Sequence, residues 1–132
     1  MTRGLALLLV AVFALSACGG SKGLSDAQKR AILAHAQHEM NTTAYDDALK
    51  EVRALGNWDG APKRLIEYRK RAARETLANA ESKNLKKAPR AAMSLTKTSI
   101  KYWSTPEARR FLKVATKAHA DFKKKNQAAG HF

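Results

Sequence analysis

Apolar and polar residues recur at helical spacing from Ser25 onward, and no segment alternates with the period of two that marks a strand. Ser25-x-x-Gln28 has the form of a capping box, and Ala27, Ala31, Ile32, Ala36 and Met40 follow at helical intervals. Asn41-Thr42-Thr43 interrupts the pattern, and Thr43-x-x-Asp46 offers a second cap. Tyr45, Ala48, Leu49, Val52 and Leu55 then share one helix face, with Gly56 placed to end that helix. Asn57-Trp58-Asp59-Gly60 is a turn cluster, and Pro62 suits the first position of the next helix.

That third helix, predicted over residues 62–83, divides cleanly on a helical wheel. Leu65, Ile66, Tyr68, Ala72, Ala73, Leu77 and Ala80 occupy one half, and Lys63, Arg64, Glu67, Lys70, Arg71, Arg74 and Glu75 the other. Arg69 falls among the apolar positions, where it must extend its charge to solvent or meet an acid such as Asp46 or Asp47. Pro89 can open a fourth helix to about Trp103, with Met93, Thr96, Ile100 and Trp103 on one face. Ser104-Thr105-Pro106-Glu107 restarts the chain with a cap, an N1 proline and a first-turn acid. Phe111, Ala115, Ala118 and Phe122 then form a stripe, Lys113, Lys117 and Lys124 point away, and Lys123-Lys124-Lys125 suits the helix C-terminus. The expected fold is all-α, a small bundle of four or five amphipathic helices over residues 25–125, with a frayed tail at 126–132. The 132 residues allow one domain, and no internal repeat is visible.

The start of the chain follows a different rule. After Met1-Thr2-Arg3, residues 4–15 run without a charge, Gly-Leu-Ala-Leu-Leu-Leu-Val-Ala-Val-Phe-Ala-Leu. Twelve helical residues rise only ~18 Å, too little for a hydrocarbon core of ~30 Å. The run has the length of a secretory signal h-region. It ends in Leu15-Ser16-Ala17-Cys18, followed by Gly19-Gly20-Ser21. This stretch resembles the lipobox of bacterial lipoproteins. The resemblance covers residues 1–18 and the tether behind them, and it implies a targeting class rather than a molecular activity. It implies a signal peptide over 1–17 cut before Cys18, whose sulfur carries diacylglycerol and whose new amino group takes a fatty acid such as palmitate. Gly19 stands where an aspartate often retains such proteins at a Gram-negative inner membrane, so outer-membrane sorting, facing the periplasm, is expected in such a host. Residues 18–24 would form a flexible tether, and its first six residues extend at most ~20 Å. Since each buried methylene contributes ~0.8 kcal/mol, two or three acyl chains suffice for permanent anchoring. The positive charge of the folded part is then not needed for retention.

That charge is large and uneven. The chain holds 25 Lys+Arg against 11 Asp+Glu, a net charge of +14. Residues 18–60 carry five basic and six acidic side chains, residues 61–132 nineteen and five, and Arg3 supplies the rest. Such asymmetry points to an anionic partner, with Arg64, Lys70, Arg71, Arg74, Lys113, Lys117 and Lys124 as its contacts. An anionic envelope component or an acidic protein surface fits an anchored protein. Nucleic acid is the default partner for a cytoplasmic protein of this charge but a minority reading for an exported one, tied to DNA uptake or transfer. No zinc-finger spacing or aromatic-rich RNA-binding motif is present.

Candidate chemistry is sparse. A lone cysteine excludes a disulfide within the monomer and a four-cysteine zinc site. His35-Ala36-Gln37-His38-Glu39 is His-x-x-His-Glu rather than the His-Glu-x-x-His of zinc proteases, and no third ligand is evident, so it reads as an exposed polar face without metal. His119 reads as a core-edge histidine, and the adjacent Asp46 and Asp47 diverge by ~100° on a helix. There is no phosphate-binding glycine loop and no Gly-x-Ser-x-Gly elbow. Trp58 and Trp103, each near a turn, either cap the core or anchor a partner. The expected function is a membrane-anchored envelope adaptor or binding protein with no enzymatic turnover, cofactor or small-molecule substrate. The alternatives are an exclusion lipoprotein of a plasmid or phage and a polyanion-binding protein.

Overall fold

A computed structural model describes residues 23–130. The expected signal peptide, Cys18 and most of the expected tether lie outside the described residues. Those described form an all-α fold of five helices with no strand: α1 (Asp26–Asn41), α2 (Tyr45–Ala54), α3 (Ala61–Glu81), α4 (Pro89–Tyr102) and α5 (Pro106–Ala128). The small helical bundle anticipated from the periodicity is therefore present. Chain packing separates two compact units, one ending at Arg69 and one beginning at Lys70, so α3 contributes a half to each.

In the first unit, α1 and α2 pack as a helical hairpin. Ser25 Oγ accepts a hydrogen bond from Gln28 N at 3.1 Å, and Ser25 N donates to Gln28 Oε1 at 2.8 Å, completing the expected capping box. Ile32, Ala36 and Met40 of α1 are buried, as are Ala48, Leu49, Val52 and Leu55 at the end of α2. The second cap is not where the sequence placed it. Thr43 has φ 66°, in the left-handed region, and the N-cap of α2 is Ala44, which has no side-chain cap bond. Ala44 N donates to Glu39 O at 2.8 Å and Thr43 N to Met40 O at 3.2 Å. These two bonds form a Schellman ending, so Thr43 closes α1 instead of starting α2. A β-branched residue is strained there, and the two satisfied carbonyls offset that strain. Gly56 (φ 58°) and Gly60 (φ 76°) take the left-handed positions expected of the following turns.

Alanine dominates the interior of the second unit. Ala72, Ala73 and Ala80 of α3, Ala92 of α4, and Ala108 and Ala115 of α5 are buried, and α4 packs against α5. Small side chains bring the backbones close enough for polar contact: Ser99 Oγ donates to Ala73 O at 2.7 Å, tying α4 to α3. The buried edge of α4 is Ala92, Thr96 and Ser99, rotated from the expected Met93, Thr96, Ile100 and Trp103, of which only Thr96 is fully buried. Thr105 caps α5 by accepting from Ala108 N at 3.1 Å, with Pro106 and Glu107 in the first turn. Ile66, expected on the apolar half of α3, is 44% exposed, Val114 of α5 is 51% exposed, and α5 continues to Ala128, past the lysine run and into the tail expected to fray. Arg69 is half-buried, and His119 is half-buried with Nδ1 enclosed and lacking a hydrogen-bond partner.

Candidate functional site

Two arrangements have chemical character. The first is built from predicted basic residues in the second unit. Lys70 and Arg74, one turn apart on α3, are exposed, and with Ala73, Leu77, Trp103, Thr105 and Glu107 they line an open groove of about 340 Å³. Trp103 enters because α4 stops at Tyr102 and Trp103 is extended (φ −161°, ψ 116°), its N–H bonded to Ser99 O at 3.0 Å. The Lys70 ammonium lies 5.0 Å from the Trp103 ring centroid, within the range of a cation–π contact. Lys113, Lys117 and Lys124 are all exposed, and their spacing of four and seven places them on one stripe of α5. A second groove of about 340 Å³ contains Lys86 and Lys125, which the wheel did not single out, beside Leu85, Ala118, Asp121 and Phe122.

Not every expected cation is free to meet a partner. Arg71 is half-buried, and its Nε donates to Glu75 Oε1 at 2.7 Å, an i,i+4 pair within α3. Arg64 belongs to the first unit, exposed, with its guanidinium 5.8 Å from the Tyr68 ring. Cys18 lies outside the described residues. Trp58 acts as a latch within the first unit: Nε1 donates to Asp26 Oδ1 at 3.1 Å, and Lys29 Nζ sits 5.8 Å from the ring.

The second arrangement corrects the expectation of an exposed His35–Glu39 face. His38 is exposed, but the Glu39 side chain is only 13% exposed, His35 is half-buried, and Glu51 of α2 completes a cluster with them. His35 Nδ1 lies 2.8 and 3.0 Å from the two Glu51 oxygens and 3.2 Å from Glu39 Oε1. Glu51 was missed because it lies in α2, yet a signal existed. His35 and Glu39 fall on the α1 stripe of Ile32, Ala36 and Met40, and Glu51 falls on the α2 stripe of Ala48, Val52 and Leu55. Acids at core positions are seldom unpartnered.

Burial and the neighbouring Glu51 carboxylate push the Glu39 carboxyl up to about 8, with Asp47 adding in the same direction and His35 opposing. Glu51 is also raised, chiefly by burial. Glu39 therefore keeps, in the folded state, a proton that the unfolded chain releases near its ordinary value of 4.5. Its contribution to stability is complete below 4.5, declines as pH rises toward about 8, and is lost above that. Glu39→Gln, which imitates the neutral acid, should flatten this decline. We expect its Tm to exceed wild type by several degrees at pH 8 and to match it within ~2 °C at pH 4.5 in thermal melts. An equal gap at both pH values would remove Glu39 as the cause.

Among the described residues, no helix is long and apolar enough to cross a membrane. Comparison with protein-family models, curated proteins and solved structures yields no match.

Proposed function

We propose that the chain is a lipid-anchored helical protein of a bacterial envelope that works by binding. Acyl groups on Cys18 fix it at a bilayer, facing the periplasm at the outer membrane in a Gram-negative host. The basic surface of residues 61–125 holds an anionic envelope component or acidic protein face, with no turnover. The observation that carries this reading is the exposure of Lys70 and Arg74 beside a half-buried Trp103 in the unit that holds nearly all the excess charge. Exposed cations on a rigid helix attract an anion with little ordering cost, and an adjacent indole adds apolar area without extra charge. The lipid supplies position, and the cations supply selectivity.

Ionic strength separates the two roles. Envelope components that co-purify with the detergent-extracted lipidated protein at ~0.05 M salt should be released by ~0.5 M, where the screening length has shrunk several-fold. Binding of the protein to bilayers should persist through the same wash. Co-purification that resists the salt step would count against the basic surface as the recognition element.

A further inference from the structure

We propose that His35, Glu39 and Glu51 bind a first-row divalent metal ion, with one imidazole nitrogen and two carboxylates as its protein ligands. The site owes nothing to the anchor or the basic surface and stands apart from the binding role above. One donor atom from each residue lies within 4.8 Å of the others. Metal–ligand bonds of ~2.1 Å at right angles put neighbouring donors ~3.0 Å apart. The His35 Nδ1 distances of 2.8 Å to Glu51 Oε1 and 3.2 Å to Glu39 Oε1 bracket that edge.

The surroundings of the cluster point the same way. Glu39 Oε1 is enclosed, with His35 Nδ1 at 3.2 Å. In a chain with 25 lysines and arginines, neither Glu39 nor Glu51 forms an ion pair with one of them among the described residues. Two largely enclosed carboxyl groups and one imidazole thus face one another, a donor set open to a divalent cation. The ligands are also held firmly. His35 and Glu39 are one turn apart on α1, the Glu39 carbonyl is fastened by Ala44 N at 2.8 Å, and Glu51 lies on the α2 face packed against α1. The donor set of one nitrogen and two hard oxygens suits Zn²⁺, Co²⁺, Mn²⁺ or Fe²⁺ and lacks the sulfur that favours copper(I). With three protein donors, the remaining coordination positions would be filled by water.

The test is calorimetric titration of the chelator-stripped mature lipidated chain with ZnCl₂ and, separately, CoCl₂, alongside visible absorption of bound cobalt. We expect one ion per chain, a cobalt d–d band, and a Tm that rises with metal concentration, because the ion joins α1 to α2. Glu39→Gln and Glu51→Gln should each weaken binding more than about tenfold, the smallest loss typical of even an outer-shell partner. His38→Gln should leave affinity unchanged, since His38 is exposed outside the cluster. Circular dichroism establishes that each variant is folded, and Glu39→Gln alone decides the matter if Glu51→Gln does not fold. Absence of saturable binding by the wild type would overturn the proposal. So would binding undiminished in Glu39→Gln, which would place the ion on surface histidines.

Discussion

Replacing Cys18 with serine should release the protein from washed membranes, lowering its membrane-bound fraction by orders of magnitude while leaving helix content unchanged. The size of the effect follows from acyl burial. One fourteen-carbon chain gives only marginal, reversible binding of ~10⁴ M⁻¹, and a second or third chain makes dissociation negligible. Serine offers no thiolate for the lipid transfer, so every chain is lost together. The uncleaved apolar run of residues 4–15 would rise only ~18 Å against a ~30 Å core, and no described helix can span a bilayer. What remains is the basic surface, whose attraction to anionic headgroups fades within ~8 Å at physiological salt. Fractionation with a ~0.5 M salt wash reads the result, since that wash shortens the screening length further. A serine variant still in the washed pellet would mean that the domain, not the lipid, holds the protein in place.

The double variant Lys70→Glu/Arg74→Glu should weaken association with the anionic partner about thirtyfold or more, since each cation near an anionic surface typically contributes about fivefold and reversal adds repulsion. Both side chains are exposed on α3, so the exchange disturbs no core packing. Lys70→Glu also removes the cation 5.0 Å from the Trp103 ring and replaces it with a charge that the face of the ring repels. Arg71 is omitted deliberately. Its reversal would break the 2.7 Å pair with Glu75 and mix a stability effect into the binding measurement. Arg30→Glu/Arg53→Glu, the same charge change on exposed positions of α1 and α2 in the first unit, is the control and should cost less than about threefold, a screened long-range effect. Equal losses from the two variants would show that net charge matters and that the Trp103 groove does not.

Local signals in this sequence were readable, and signals that require two helices to meet were not. The Ser25–Gln28 box and the Thr105-Pro106-Glu107 start appear in the fold as expected, because each is decided within four residues of chain. Thr43 was misread because a cap motif and a Schellman ending compete for the same residue. The winner depends on the bonds that Thr43 and Ala44 return to α1. The basic side of α3 was visible as a face, and the i,i+4 pairing of Arg71 with Glu75 on that face was a local signal left unread. The buried edge of α4 shifted to Ala92, Thr96 and Ser99 because small residues admit the closer approach that the Ser99–Ala73 bond requires. The His35–Glu39–Glu51 cluster was the largest omission. Its third member is 12 residues from Glu39 on another helix, and a search for ligands within one helix cannot find it.

The most direct measurement is the intact mass, with the N-terminal fragment mass, of protein purified from the membrane fraction of its host. We expect a chain that begins at Cys18 and carries a diacylglyceryl thioether and, where the host adds it, an amide-linked acyl group. A chain that still begins at Met1 with an unmodified Cys18 thiol, recovered from the cytosol, would contradict it and leave the basic surface free for a nucleic-acid partner.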